Sequence, residues 1–227
     1  FTNVRGMANV SNIPSVVGKM ASDGGIESSD MGLYNVNNAR IKSMMWGEVG
    51  FTYGKILQAK SDNMITGAIS VKRLLGFSQA SVMVDDATVN VFDLESATLV
   101  STNSKYSYAE PSFNAGRGWG TSLGVTYKKM KEDITHYVPH STFSACRQID
   151  YKYKVGVSLI DFGYIRFKQG AYYGTYNENT VINDLNTPQD VSDETQAIQQ
   201  GDQFTAYTPA AASVQFDYNI NDKVYLN

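Results

Sequence analysis

Residues 151–161 read Tyr-Lys-Tyr-Lys-Val-Gly-Val-Ser-Leu-Ile-Asp. Side chains of an extended chain alternate between faces, so Tyr151, Tyr153, Val155, Val157 and Leu159 share one side while Lys152, Lys154, Gly156 and Ser158 share the other. A bulky apolar side backed by Lys, Gly and Ser suits a wall between hydrocarbon and a wet, curved interior. The same period recurs on both sides of this segment. Over 118–128, Trp119, Leu123, Val125 and Tyr127 oppose Gly118, Gly120, Ser122, Gly124 and Lys128. Aromatics close both ends of that apolar row, as interfacial belts do at the two edges of a membrane. Over 212–220, Ala212, Val214, Phe216, Tyr218 and Ile220 oppose Ser213, Gln215, Asp217 and Asn219. Over 45–57, Met45, Val49, Phe51 and Tyr53 oppose Glu48, Gly50, Thr52 and Gly54, with Trp46 as the exception. Lys60-Ser61-Asp62-Asn63 is a turn signal, and Ile65, Ile69 and Val71 then alternate with Thr66, Ser70 and Lys72, which predicts a hairpin. Arg73 falls on the apolar side and is expected at a rim, where its head reaches the interface.

Composition narrows the classes. No run of about 18 apolar residues exists, which excludes a membrane helix, while a mean hydropathy of -0.28 leaves a membrane barrel open because half of its strand positions face water. A net charge of -3, with 19 Lys and Arg scattered along the chain, argues against nucleic-acid binding, which needs a concentrated basic surface. The 15 Tyr, 10 Phe and 19 Gly beside 5 Pro fit a tyrosine-rich barrel and also fit a soluble sandwich. Cys146 is the single cysteine and forms no internal disulfide. The sequence does not open on Met, and 224–227 reads as the start of a further strand, so an excerpt of a longer, processed protein is expected with the C-terminal part of the barrel missing.

The organisation read from the pattern is a Ser-, Asn- and Gly-rich segment at 1–41, followed by strands over 42–227. In the first segment, one or two helical turns are expected over 13–20, with Asn12 as cap and Pro14 near N1. An ordinary loop is the default there, and a plug or periplasmic cover is the functional alternative. Weaker strands are expected at 80–84, 88–92 and 105–113, with breaks at Asp85-Asp86 and at 93–96. Long loops are expected at 131–149 and 170–209, the second containing a short tyrosine-rich strand at 171–176. Such loops are allowed on one side of a membrane barrel.

Candidate chemistry is sparse. His136, His140 and Cys146 are zinc-binding residue types, yet Pro139 opposes a helix that would bring the two imidazoles together, and a solvated loop is the default reading. No Gly-x-Ser-x-Gly elbow is present. The stretch from Gly116 to Gly124 lacks the Gly-Lys-Ser/Thr ending of a phosphate loop and reads as a strand with an inward glycine row. Asp161-Phe162-Gly163 copies a kinase triplet without its companion motifs. No enzyme activity, metal or cofactor is therefore expected. Lys72, Lys128, Lys152 and Lys154 lie on polar faces with Glu48, Asp217 and Asp161, where they are expected to form interior ion pairs that brace the wall and tune ion preference in an open pore.

The same alternation serves a soluble antiparallel sandwich with apolar residues inward. Two details favour lipid. The polar faces carry Gly and Ser rather than the Thr, Lys and Glu of exposed strands, and the clearest strands offer about nine to eleven residues, the length of a tilted membrane strand.

Four segments carry a family resemblance: Glu48-Val-Gly-Phe-Thr-Tyr-Gly-Lys55, Thr66-Gly-Ala-Ile-Ser-Val-Lys-Arg-Leu-Leu-Gly76, Gly118-Trp-Gly-Thr-Ser-Leu-Gly-Val-Thr-Tyr127 and Tyr153-Lys-Val-Gly-Val-Ser-Leu-Ile-Asp-Phe-Gly163. In that order they resemble an uncharacterised family of Bacteroidota outer-membrane barrels, catalogued as a domain of unknown function. The resemblance covers most of residues 1–227, and none of its motifs is catalytic. It implies distant similarity to long-chain fatty-acid transporters and to gliding and type 9 secretion components. Some relatives add a domain similar to the peptidoglycan-binding part of OmpA.

The expected fold is all-β, an antiparallel transmembrane barrel of which about seven to eight strands are visible. Trp119, Leu123, Val125, Tyr127, Tyr151, Tyr153, Val155, Val157, Leu159, Val214, Phe216 and Tyr218 are expected to face lipid; Glu48, Lys72, Lys128, Lys152, Lys154 and Asp217 are expected to face the lumen. The expected role is a non-enzymatic scaffold or subunit of a cell-envelope complex in the bacterial outer membrane, with membrane lipid and other envelope proteins as partners. A channel for small or hydrophobic solutes is the alternative, and a soluble β-sandwich binding domain the second alternative.

Overall fold

The computed structural model describes residues 1–15, 18, 28–92, 97–135, 150–182, 198–221 and 224–226. Period-two alternation becomes strands, and they run longer than their clearest segments. In chain order they are β1 (Thr2–Ser11), β2 (Gly32–Lys60), β3 (Asn63–Val91), β4 (Ala97–Ala109), β5 (Gly116–Met130), β6 (Tyr151–Phe167), β7 (Ala171–Ile182), β8 (Ile198–Gly201), β9 (Phe204–Tyr207), β10 (Ala211–Asn219) and β11 (Tyr225–Leu226). All pairs are antiparallel within one sheet, which does not close on itself among the described residues.

The spine is the β2–β3 hairpin. Its two 29-residue strands meet at the pair Lys60 and Asn63, with Ser61 taking a left-handed φ of 55° in the two-residue turn. At about 3.3 Å per residue such a strand is roughly 95 Å long. β1 lies on the free edge of β2. The other edge of β3 is shared, pairing with β5 along 63–76 and with β4 along 79–91. The sheet therefore forks near Gly76. One branch continues through β6 to β10, β11 and β9, and the other through β7 to β8.

Several expectations are corrected. Residues 1–41 are not a loop throughout, because β1 forms ten pairs with β2, whose own first residue is Gly32. The signal was present: Val4, Ala8 and Val10 alternate with Asn3, Arg5, Met7 and Asn9. The helical turn expected over 13–20 is present at its described residues, Ser15 and Gly18, with Gly18 N–H donating to the Pro14 carbonyl four residues back at 2.9 Å. Asn12 is not its cap; it adopts φ 58° and donates its side-chain amide to the Asn38 carbonyl. Asp85-Asp86 does not break β3, because pairing on both edges, such as Asp86 with Asn37 and with Thr102, outweighs the poor strand propensity of Asp. The segment 170–209 holds β7, β8 and β9, which with β1 raises the strand number among described residues to eleven.

One face is concave, and an ion pair proves it. Arg5 on β1 bonds Asp161 on β6, although β2, β3 and β5 lie between them in the sheet. Four spacings of about 4.8 Å would separate those strands by roughly 19 Å in a flat sheet, beyond the reach of one side chain. Lys42 on β2 likewise reaches the Tyr207 carbonyl on β9, at 3.2 Å. Glycine makes the curl sterically feasible. A Cβ on Gly118 would overlap the Tyr164 carbonyl oxygen, and one on Gly76 would come within 2.6 Å of the Phe167 ring.

A dry core fills the concave side of the fork, formed by Met44, Trp46, Leu74, Ala109, Ala115, Ile165, Phe167, Ala171 and Ala206. Trp46, which broke the alternation, is explained by that core: it points inward with the polar row, where the fork demands a large apolar group. A second cluster of Met64, Met130 and Ile134 closes the turn end of the same face.

Candidate functional site

Between those two apolar plugs the concave face is polar. Its upper part is a four-membered charge network. Arg5 bonds Glu48 at 3.0 Å and also bonds Asp161; Lys72 bonds Asp161 and lies 3.7 Å from Glu48. The Glu48 and Lys72 side chains are almost wholly buried, at 2% and 6% exposure, so removal of either partner would leave a desolvated charge. Two cations against two anions leave the cluster neutral. Asn3 adds a hydrogen bond to Glu48 at 3.0 Å, and the Phe1 ring lies 5.7 Å from the Lys72 ammonium.

Asp161 reaches this network because β6 changes phase beside it. Thr121 pairs with Phe162 but Leu123 pairs with Leu159, so β6 carries an extra residue and Asp161 takes a φ of 57°. A bulge of this kind re-aims the side chains that follow it. Asp161 N–H donates to the Ser122 hydroxyl at 3.0 Å, and Thr208 donates to the Asp161 carbonyl at 2.6 Å. Downstream of the bulge Ile165 and Phe167 face the core, while Phe162 and Tyr164 are exposed on the convex side.

The lower part is a second ionic cluster. Lys154 bonds Asp217, which also accepts from Gln215 at 3.2 Å and from the Tyr151 hydroxyl at 3.4 Å. The ammonium groups of Lys128 and Lys154 lie 5.9 and 5.7 Å from the Tyr151 ring. Between the two clusters runs a trough of Ser, Thr, Gly and Ala, in which a depression of about 360 Å³ is lined by Gly54, Thr66, Ala68, Gly124 and Thr126. Ser122 and Lys128 are six residue steps apart along β5, which makes the trough roughly 20 Å long.

The convex face carries the apolar rows. Val125 pairs with Val157, which pairs with Val214, and Leu123 pairs with both Ile69 and Leu159. Of the residues expected on the apolar side, Trp119, Leu123, Val125, Val157, Leu159, Val214, Phe216 and Tyr218 are exposed there. Tyr127, Tyr153 and Val155 are half-buried; the first two rings pack with centroids 5.9 Å apart, and Tyr127 donates to Asn63 at 2.6 Å. At this end Lys129 bonds Asp62 at 2.6 Å, and that ammonium holds the Asp62 carboxyl below its usual range.

Two placements differ from expectation. Tyr151 belongs to the concave cluster with Asp217, and Lys152 is exposed and set apart from Lys154. The cause is a second register shift: Lys129 pairs with Tyr153 and Met130 with Tyr151, so Lys152 is the extra residue and the strand changes phase there. Glu48, Lys72, Lys128, Lys154 and Asp217 share the concave face. Arg5 and Asp161 complete its upper network. Arg5 was missed because the 1–41 segment read as loop, although its alternation held the signal. His136, His140 and Cys146 lie outside the described residues.

Residues 1–227 match the model of a family described as a family of unknown function (DUF5723). No curated protein and no solved structure matches the chain.

Proposed function

We propose that this chain, which belongs to the family of unknown function DUF5723, forms part of the wall of a bacterial outer-membrane β-barrel and serves as a non-enzymatic scaffold within a larger cell-envelope assembly. The observation that carries this reading is the convex belt. From Trp119 to Tyr127 it spans nine residues of β5, a length suited to a tilted membrane strand. Trp119 with Arg73 bounds one edge, and Tyr127, Tyr153, Lys129 and Asp62 bound the other. Aromatic and charged groups at both limits of an apolar band fit two membrane interfaces. A soluble sandwich would need a second sheet over these rows, whereas among the described residues Val125, Val157 and Val214 remain 51%, 57% and 75% exposed.

The scaffold role is supported by the stoppered concave side, where the Trp46–Phe167 core and the Arg5–Asp161 bridge cross the interior. The long hairpin extends well beyond a nine-residue belt, and its upper branch offers the surface for envelope partners. A transport role is the second reading, favoured by the trough between the two ionic clusters.

Val125→Arg tests the membrane assignment. In a membrane wall, an arginine near the midplane costs about 2–4 kcal/mol and lowers the folded fraction recovered from the outer membrane. In a soluble domain the same change at a half-exposed site shifts stability by less than about 0.5 kcal/mol, and that result would reject the membrane wall. Between the two roles, a scaffold co-purifies with envelope proteins and gives baseline conductance in planar bilayers. Current steps that change with Asp217→Asn would support the channel instead.

A further inference from the structure

We infer that an open depression on the convex face, just beyond the Trp119 edge of the apolar belt, binds the phosphate of an anionic lipid headgroup. The inference rests on the membrane-wall reading. The depression, about 520 Å³, is lined among others by Arg73, Arg117, Trp119, Tyr164, Arg166 and Lys168.

Its charge arrangement asks for an anion. Arg117 pairs directly with Arg166 across β5 and β6, and like charges in that position repel. In the adjacent row Trp119 pairs with both Arg73 and Tyr164. Among the described residues none of the four cations is in an ion pair. Their polar contacts are instead neutral: Arg117 donates twice to the Asn114 side-chain oxygen, at 3.0 and 2.7 Å, and Arg166 donates to the Gln203 side-chain oxygen at 3.0 Å. The Arg73 guanidinium lies over the Trp119 ring at 4.9 Å. Two guanidinium groups at directly paired positions, each held by a neutral side-chain oxygen and neither by a carboxylate, supply several N–H donors to one patch, which suits a phosphate whose oxygens accept several such bonds at once.

The location selects a lipid over a free ion. Trp119 and Tyr164 form the last aromatic row of the belt, so a phosphate seated at Arg117 and Arg166 places its acyl chains beside Phe162, Val71 and Leu123, all exposed on the same face. Charge and hydrocarbon are then satisfied by one molecule.

The test uses the purified chain in neutral detergent, offered phosphatidylcholine vesicles with and without phosphatidic acid, and inorganic phosphate alone. Expected results are retention of phosphatidic acid in native mass spectra and a rise in thermal midpoint specific to that lipid. Arg117→Gln with Arg166→Gln should weaken this binding on the order of 10- to 100-fold, the worth of a charged hydrogen bond or two. The double variant should fold at least as well without lipid, because the opposed charges are gone. A control of equal charge loss at exposed positions on the opposite side of the belt, Lys55→Gln with Lys60→Gln, should keep full binding. Unchanged binding in the arginine variant, equal loss in the lysine control, or an equal effect of inorganic phosphate would each overturn the assignment. A chain that binds vesicles but ignores phosphatidic acid defeats this inference alone, whereas one that stays in solution without detergent defeats the membrane wall as well.

Discussion

Lys72→Met should cost the folded chain about 3–5 kcal/mol, because it leaves buried carboxylates short of one cation. Glu48 and Asp161 would share Arg5 alone, and the Glu48 side chain has only 2% of its surface available to water. The loss should appear as a lower denaturant midpoint with an unchanged slope. Adding Glu48→Gln restores neutrality, and the double variant should recover more than half of the loss. This recovery separates an electrostatic cause from a packing one, since methionine fills most of the lysine volume in both variants. A single variant within about 1 kcal/mol of the parent would mean that the network does not hold the curl together.

Gly118→Val should be comparably damaging for a steric reason. The new Cβ would overlap the Tyr164 carbonyl oxygen and lie 2.8 Å from the Ile165 Cα, both backbone atoms of the paired strand. A flexible side chain can move aside from an added methyl, but a paired backbone cannot without breaking its ladder. The expected cost is about 3 kcal/mol or more, at or above the upper end of ordinary overpacking. Gly124→Ala is the matched control on the same strand. Its Cβ would meet Ser158 Cβ at 3.7 Å, an ordinary contact, and stability should change by less than about 1 kcal/mol. If both substitutions proved equally harmful, general loss of glycine rather than close β5–β6 approach would be responsible. Both costs are read as shifts in denaturant midpoint at unchanged slope.

The ends and phases of strands were harder to read than their existence. β5 and β10 were legible nearly to their limits, because Trp119–Leu123–Val125–Tyr127 and Val214–Phe216–Tyr218 alternate without interruption. β3 was read as three pieces, because Asp85-Asp86 has a local preference for turns that is overridden by neighbours on both edges. β1 was overlooked although its alternation is present, because Asn, Gly and Ser have low strand propensity and the stabilising partner, β2, is remote in sequence. Tyr151 and Lys152 exchanged roles through a single extra residue, a change that reverses every side chain beyond it.

The lower ionic cluster was partly legible, since Lys154 and Asp217 stand on polar faces of two clear strands. The upper one was not. Joining Arg5 to Asp161 requires knowing that the sheet curls and that β6 bulges at 159–161.

The order of residues alone determined an all-β chain, its two-sided strands and the tight β2–β3 turn, because alternation and turn chemistry act between near neighbours. The forked sheet, its curvature, the inward place of Trp46 and the pairing of charges from opposite ends of the chain were decided only in three dimensions. Each depends on contacts across several strands, where register and close backbone approach select the partners.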